Sequence, residues 1–176
     1  GKSIKKEAEG EQLANILNTV IEVSNQVNKK ANRLWLPNID EVILIDDLIK
    51  KYSYKTNIFP EAIIGEYDAP ELQEQGILKY KFIEQGNTLI YGNDSAEKEM
   101  LLSSMIYSTS ILYSTKQINY YIYDFGSESL RKFEKMPQVG DIVYIGEDEK
   151  VRNLFKLIKK EMAYRKKLLS SFGGEY

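Results

Sequence analysis

From about Glu7 to Leu34 apolar residues recur at Leu13, Leu17, Val20, Val27, Ala31 and Leu34, steps that line one side of a helix. The opposite side is Asn, Gln, Lys and Glu, and no Pro or Gly interrupts the stretch after Gly10. A long N-terminal amphipathic helix is therefore expected, packed on its own domain or linking to a preceding module, with the first reading favoured. Pro37 disfavours helical geometry at Leu36 and ends it. The single tryptophan, Trp35, beside that proline reads as a packing anchor.

Downstream the period changes. Val42–Ile45 running into Asp46–Ile49 predicts a short strand followed by a short helix or turn. Ala62–Asp68 reads as a strand, Ala69–Gln73 as a turn, and Leu78–Ile83, alternating apolar and polar, as a half-buried strand. Gln85-Gly86-Asn87 is a tight turn before Thr88–Tyr91, a short apolar run of the fully buried strand type. A helix follows from about Lys98 to Tyr113. A strand over Ile118–Tyr123 ends in Asp124-Phe125-Gly126, and a helix or turn spans Leu130–Phe133. The last pair is a buried strand over Asp141–Gly146 and a basic amphipathic helix over Glu149–Ser170. Strand and helix alternating in this way predict an α/β fold with a parallel sheet. The expected division is 1–58, helix and lead-in, and 59–176, the α/β domain.

Composition narrows the chemistry. The chain lacks cysteine and histidine, which excludes disulfides, thiolate nucleophiles, cysteine or histidine zinc sites and imidazole general bases. Carboxylates, lysines and backbone groups remain, the palette of nucleotide binding. The net charge of -2, from 24 basic and 26 acidic residues, offers no basic face for nucleic acid. Lys156, Lys159, Lys160, Arg165, Lys166 and Lys167 lie on one predicted helix and read as a solvated face. No apolar run is long enough to cross a membrane, and Gly1–Lys6 does not read as a signal peptide.

The candidate site is Gly92, Asn93, Asp94, Ser95, Ala96, Glu97, Lys98 and Glu99, placed between the predicted apolar strand and a helix. An ordered P-loop there reads G-x-x-x-x-G-K-[ST]. Its backbone N–H groups surround the phosphates, its lysine bridges the outer ones, and its hydroxyl holds magnesium. Gly92 and Lys98 occupy their places, but Glu97 stands for glycine and Glu99 for the hydroxyl. Asp94, Glu97 and Glu99 surround one lysine with negative charge. At about 5 Å and an effective dielectric of roughly 20, each like-charge contact with a phosphate costs on the order of 3 kcal/mol. Two such contacts approach the roughly 8 kcal/mol of micromolar affinity. Taken alone, the pattern reads as an ordinary strand-to-helix turn with an acidic first turn that suits the helix dipole.

Flanking segments add context. Arg33-Leu-Trp-Leu-Pro37, Gly65-Glu-Tyr-Asp-Ala-Pro70, Gly86-Asn-Thr-Leu-Ile-Tyr-Gly92, Tyr123-Asp-Phe-Gly126, Met136-Pro-Gln-Val-Gly140 and Met162–Tyr176 run in one order over nearly the whole chain. Together they resemble the second FtsK/SpoIIIE-like ATPase module of the membrane-bound motor of Gram-positive type VII secretion. The resemblance implies a partial RecA/AAA+-like P-loop NTPase domain, with Asp124 ending a strand that precedes the one bearing the Walker B acids. It implies that the chain stops before that strand and does not turn over ATP alone. ATP and magnesium are the implied cofactors, and the degenerate loop argues against both. Neighbouring modules of the same polypeptide, a hexameric parent and WXG-type effectors are the implied partners. The implied location is the cytoplasmic part of a membrane-anchored protein, without membrane contact by this segment. The resemblance leaves two alternatives to a degenerate structural and regulatory module. One is an ATP-hydrolysing module with Glu99 on magnesium; the other is a DNA translocase module, which the charge balance disfavours.

Overall fold

The computed structural model describes residues 9–28, 31 and 35–173. Helix α1 spans Glu9–Gln26 and ends in a turn at Val27 and Asn28. It ends earlier than expected, and residues 7, 8, 29, 30 and 32–34 of the anticipated helix lie outside the described set. Its apolar residues, Leu13 through Val27, are each half or more exposed, so α1 is not packed on its own domain. Trp35 is 72% exposed, lining an open groove with Asp68, Pro70 and Gln73, and is not the buried packing anchor expected.

Helix α2, Ile45–Lys51, begins where a strand was expected over Val42–Ile45. Asp46 and Asp47 in the first turn and Lys50 and Lys51 in the last complement its dipole. The Leu44 carbonyl already accepts the Leu48 amide, while Val42 and Leu44 stay exposed with no ladder to enter. Leu48 is buried, and α2 packs by it against the first strand.

Strands β1, Glu61–Ala69, and β2, Glu74–Lys81, form an antiparallel hairpin closed by a 3₁₀ turn over Pro70–Leu72. Gln73 takes the left-handed conformation that the reversal needs. β2 stops at Lys81, short of the predicted Ile83. Gln85 Oε1 accepts the Lys81 amide at 2.9 Å and starts the one-turn helix α3, Phe82–Gln85. Gly86, at φ +60, turns the chain out of it, a conformation costly for any residue with a Cβ.

Thr88–Tyr91 is not a strand, contrary to the sequence reading. Leu89 is 84% and Tyr91 88% exposed. Among the described residues no strand pairs with this run, and side chains tether it instead: the Tyr80 hydroxyl bonds Thr88 Oγ1 and the Gly86 carbonyl. An apolar run acquires strand structure from its ladder partners, which its own pattern does not supply.

Helix α4, Ser95–Leu112, links the two sheets. Strands β3, Tyr120–Asp124, and β4, Val139–Tyr144, pair in parallel, joined through a 3₁₀ segment over Ser129–Phe133. The core joins Ile106 of α4, Ile122 of β3, Leu130 and Phe133 of the 3₁₀ segment, and Val139 and Ile142 of β4. The parallel sheet thus has two strands, with the hairpin as a separate antiparallel sheet.

Two polar devices fasten α4. The fully buried Ser108 Oγ accepts the Ile63 amide at 3.0 Å, and the Tyr113 hydroxyl accepts the Glu61 amide at 3.2 Å. Both satisfy edge N–H groups of β1 that burial would otherwise leave unpaired. At the far end the buried Gln138 donates from Nε2 to the carbonyls of Ser110, 2.9 Å, and Tyr113, 2.7 Å. It thereby caps α4 from the start of β4. Helix α5, Asp148–Ser171, buries only Leu154, and its basic residues are exposed.

Candidate functional site

The chain between Gly92 and Ser95 is an exposed loop entering α4. Asp94 is the N-cap, extended at φ -87 and ψ 119, with its carboxylate turned back over the first turn. Asp94 Oδ1 accepts the Ala96 amide at 2.7 Å and the Glu97 amide at 3.4 Å. Those donors, with the positive end of the helix, are the groups that a P-loop offers to phosphate oxygens. The loop thus turns a carboxylate of its own onto these two amides.

Lys98 does not reach outward. Its Nζ donates to the Gly92 carbonyl at 2.7 Å and closes the loop on itself. Glu99 faces away from it and meets Lys132 Nζ of the 3₁₀ segment at 3.4 Å. The three acids expected around Lys98 are therefore divided: Asp94 caps, Glu99 pairs with Lys132, and Glu97 is exposed. Asn93, Ser95 and Ala96 are exposed on the loop and first turn. Because the loop is open to water, its charge repulsion is screened below the sequence expectation.

An open cavity of about 530 Å³ runs along the flank of α4, lined by Leu44, Met100, Ser103, Tyr107 and Phe133 with Glu99 and Lys132 at one end. At the other end the Tyr107 hydroxyl donates to Asp46 at 3.0 Å. Only Ala96 and Glu99 of the candidate loop reach this space, which lies beside the loop. Asp124, at the carboxyl end of β3, accepts the amides of Gly126, 3.1 Å, and Leu130, 3.4 Å, and so shapes the turn after its strand. Among the described residues no cluster of three or more acidic groups is arranged to hold a metal ion, and no helix is long and apolar enough to cross a membrane.

Two perturbed carboxylates lie on β1, away from the loop; a third, Glu147 after β4, is held low by the Tyr144 amide and Lys150. Burial alone would raise the Glu61 carboxyl; hydrogen bonds from Lys79, Asn57 and Tyr54 and the Lys79 charge bring it below the ordinary range. Glu66 behaves likewise, its burial outweighed by Lys51 and Tyr52. Burial pushes the Tyr120 hydroxyl up to about 12, against a hydrogen bond with Thr109. These groups join the lead-in, hairpin and α4. Sequence reading did not single out Lys132, Gln138 or Glu61. Only the buried position of Gln138 and the cross-element pairing of the other two mark them, and neither has a local sequence signal.

The α/β architecture, with a parallel strand pair packed on α4, is that of an FtsK/SpoIIIE ATPase-like fold. The FtsK/SpoIIIE family model matches residues 50–175, and the chain belongs to that family. The ESX secretion system protein EccC of Geobacillus thermodenitrificans is 30% identical over 152 residues, 86% of this chain and 10% of its own length. The type VII secretion system protein EssC of Staphylococcus aureus is 24% identical over 148 residues, 82% of this chain and 10% of that protein. A solved structure of EssC ATPases 2 and 3 from Geobacillus thermodenitrificans superposes with a TM-score of 0.56 at 29% identity, covering 64% of this chain and 22% of that one. A second, of the cytoplasmic domain of EssC, gives 0.55 at 25% identity, covering 65% and 22%. The chain spans about a tenth of the length of the curated relatives it matches.

Proposed function

We propose that this segment is a degenerate FtsK/SpoIIIE-type ATPase module with a structural and regulatory role in a type VII secretion motor. The observation that carries the reading is the Asp94 carboxylate on the Ala96 amide at 2.7 Å, where a nucleotide phosphate would sit. Glutamate at 97 in place of glycine and the turning of Lys98 onto the Gly92 carbonyl support it. The module docks against neighbouring ATPase modules of the same polypeptide, on the cytoplasmic side of a membrane-anchored protein. The similarity to a structure of ATPases 2 and 3 of EssC supports that placement. A hexameric parent and WXG-type effectors belong to the same reading.

A second reading is favoured by one contact. The Glu99–Lys132 pair is long, 3.4 Å, with Lys132 about half and Glu99 about a third exposed, so magnesium can compete for Glu99. In that case Lys98 would swing to the phosphates and the module would bind and hydrolyse ATP. Calorimetric titration with ATP and magnesium separates the two. The degenerate module gives no micromolar binding, and Lys98→Ala changes nothing. Micromolar binding that disappears in Lys98→Ala would overturn the proposal.

A further inference from the structure

We infer that the outer face of α5 is an electrostatic docking surface for an anionic phospholipid bilayer. Arg152, Lys156, Lys159, Lys160, Lys166 and Lys167 are spaced so that, at 3.6 residues per turn, they share about a third of the helix circumference. All are exposed, and at 1.5 Å per residue they run for roughly 22 Å. The side by which α5 meets the domain is the opposite one, where Leu154 is buried and Val151 and Ile158 are half-buried. Whatever a longer polypeptide lays over that apolar side, the basic side stays turned outward.

The strip is uncompensated. None of its side chains forms an ion pair with another described residue. Glu161 is the only acid between Arg152 and Ser171. It lies on the other side of the helix, where it accepts Arg165 Nε at 2.7 Å. In a chain of net charge -2 the attraction for a polyanion is therefore concentrated on this face.

The residue types select among polyanions. Apart from Arg152 the strip is lysine, a hydrated point charge without the planar fork that grips phosphodiester or carboxylate oxygens in pairs. It is one convex helix face, with no groove to follow a nucleic-acid backbone and no ring between the cations on which a base would stack. Its margin carries Tyr164, 61% exposed and one turn from both Lys160 and Lys167, and the helix closes on Phe172, 81% exposed. Lysines with aromatic rings at their edge suit a headgroup layer, and a lysine cluster on an amphipathic helix is drawn to a negative leaflet by the sum of its charges. The proposed placement on the cytoplasmic side of a membrane brings such a leaflet within reach. The inference rests on that placement and not on the state of the Gly92 loop. It departs from the expectation, carried by the resemblance, that this segment makes no membrane contact.

Co-sedimentation of the full chain with vesicles tests it. At about 0.1 M salt the chain pellets with vesicles of phosphatidylglycerol and phosphatidylcholine, stays in solution with phosphatidylcholine alone, and is released from the former at about 1 M salt. Lys159→Glu with Lys166→Glu lowers the affinity by at least about tenfold, and Lys159→Gln with Lys166→Gln gives a smaller loss. Lys50→Glu with Lys55→Glu, the same charge change at exposed positions outside α5, stays within about twofold of the parent. The thermal midpoint, measured alongside, stays at the parent value in both strip variants. Duplex DNA and polyglutamate, at matched charge concentration and salt, bind more weakly than the anionic vesicles. No retention on anionic vesicles, equal binding to neutral ones, unchanged affinity in the strip variants, equal loss in the Lys50 and Lys55 variant, or tighter binding of either soluble polyanion each overturns the inference. None of these outcomes alters the calorimetric ATP titration, so the two proposals fail separately.

Discussion

Gln138 holds the carbonyls of Ser110 and Tyr113 from a buried position, at the one point where α4 ends and β4 begins. Gln138→Ala leaves the part-buried Ser110 carbonyl and the buried Tyr113 carbonyl without that partner. The cost is about 1–3 kcal/mol, read as a lower urea midpoint at unchanged slope. The Met-Pro-Gln-Val-Gly segment was visible in the sequence as a marker, but its glutamine had no assigned task. Side-chain-to-backbone caps between residues far apart leave no periodic trace. Gly140, in the same segment, has a definite reason to be glycine: a Cβ there would come within 2.5 Å of the Tyr121 ring.

At the scale of elements, α4 depends on its first turn. Asp94→Ala removes the acceptor for two amides and destabilises the domain by about 1 kcal/mol, the usual worth of an N-cap. Thermal denaturation measures it, and Asp94→Asn restores most of the loss. Helices α4 and α5 and the three strands β1, β3 and β4 were legible, because each combines a clear apolar pattern with turn residues at its ends. Two predicted strands failed for one cause. Val42–Ile45 and Thr88–Tyr91 have strand composition but no ladder partner among the described residues. The candidate loop was legible by position alone. Its three acids read as one repulsive cluster, whereas cap and ion pair give them separate partners, and those partners are set by tertiary placement.

For the whole molecule, the acids of β1, with Glu147 after β4, shape the response to acid. Glu61 and Glu66 are held below the ordinary carboxylate value of 4.5 in the folded chain. A depressed folded pKa contributes stability that is fully present above the unfolded value and lost as pH falls through the folded one. Unfolding stability is therefore level near neutrality and declines below about pH 4.5. Glu61→Gln lowers the plateau and flattens the acid limb, as denaturant midpoints over a pH series would record. The bond from the Ile63 amide to the fully buried Ser108 hydroxyl has a further consequence. That amide belongs to the hairpin, yet its partner belongs to α4, so neither element can open alone to let the proton trade with solvent. The slowest-exchanging hydrogens of this protein should thus mark the seam between the hairpin and α4, which share no backbone ladder, a clock set by their parting.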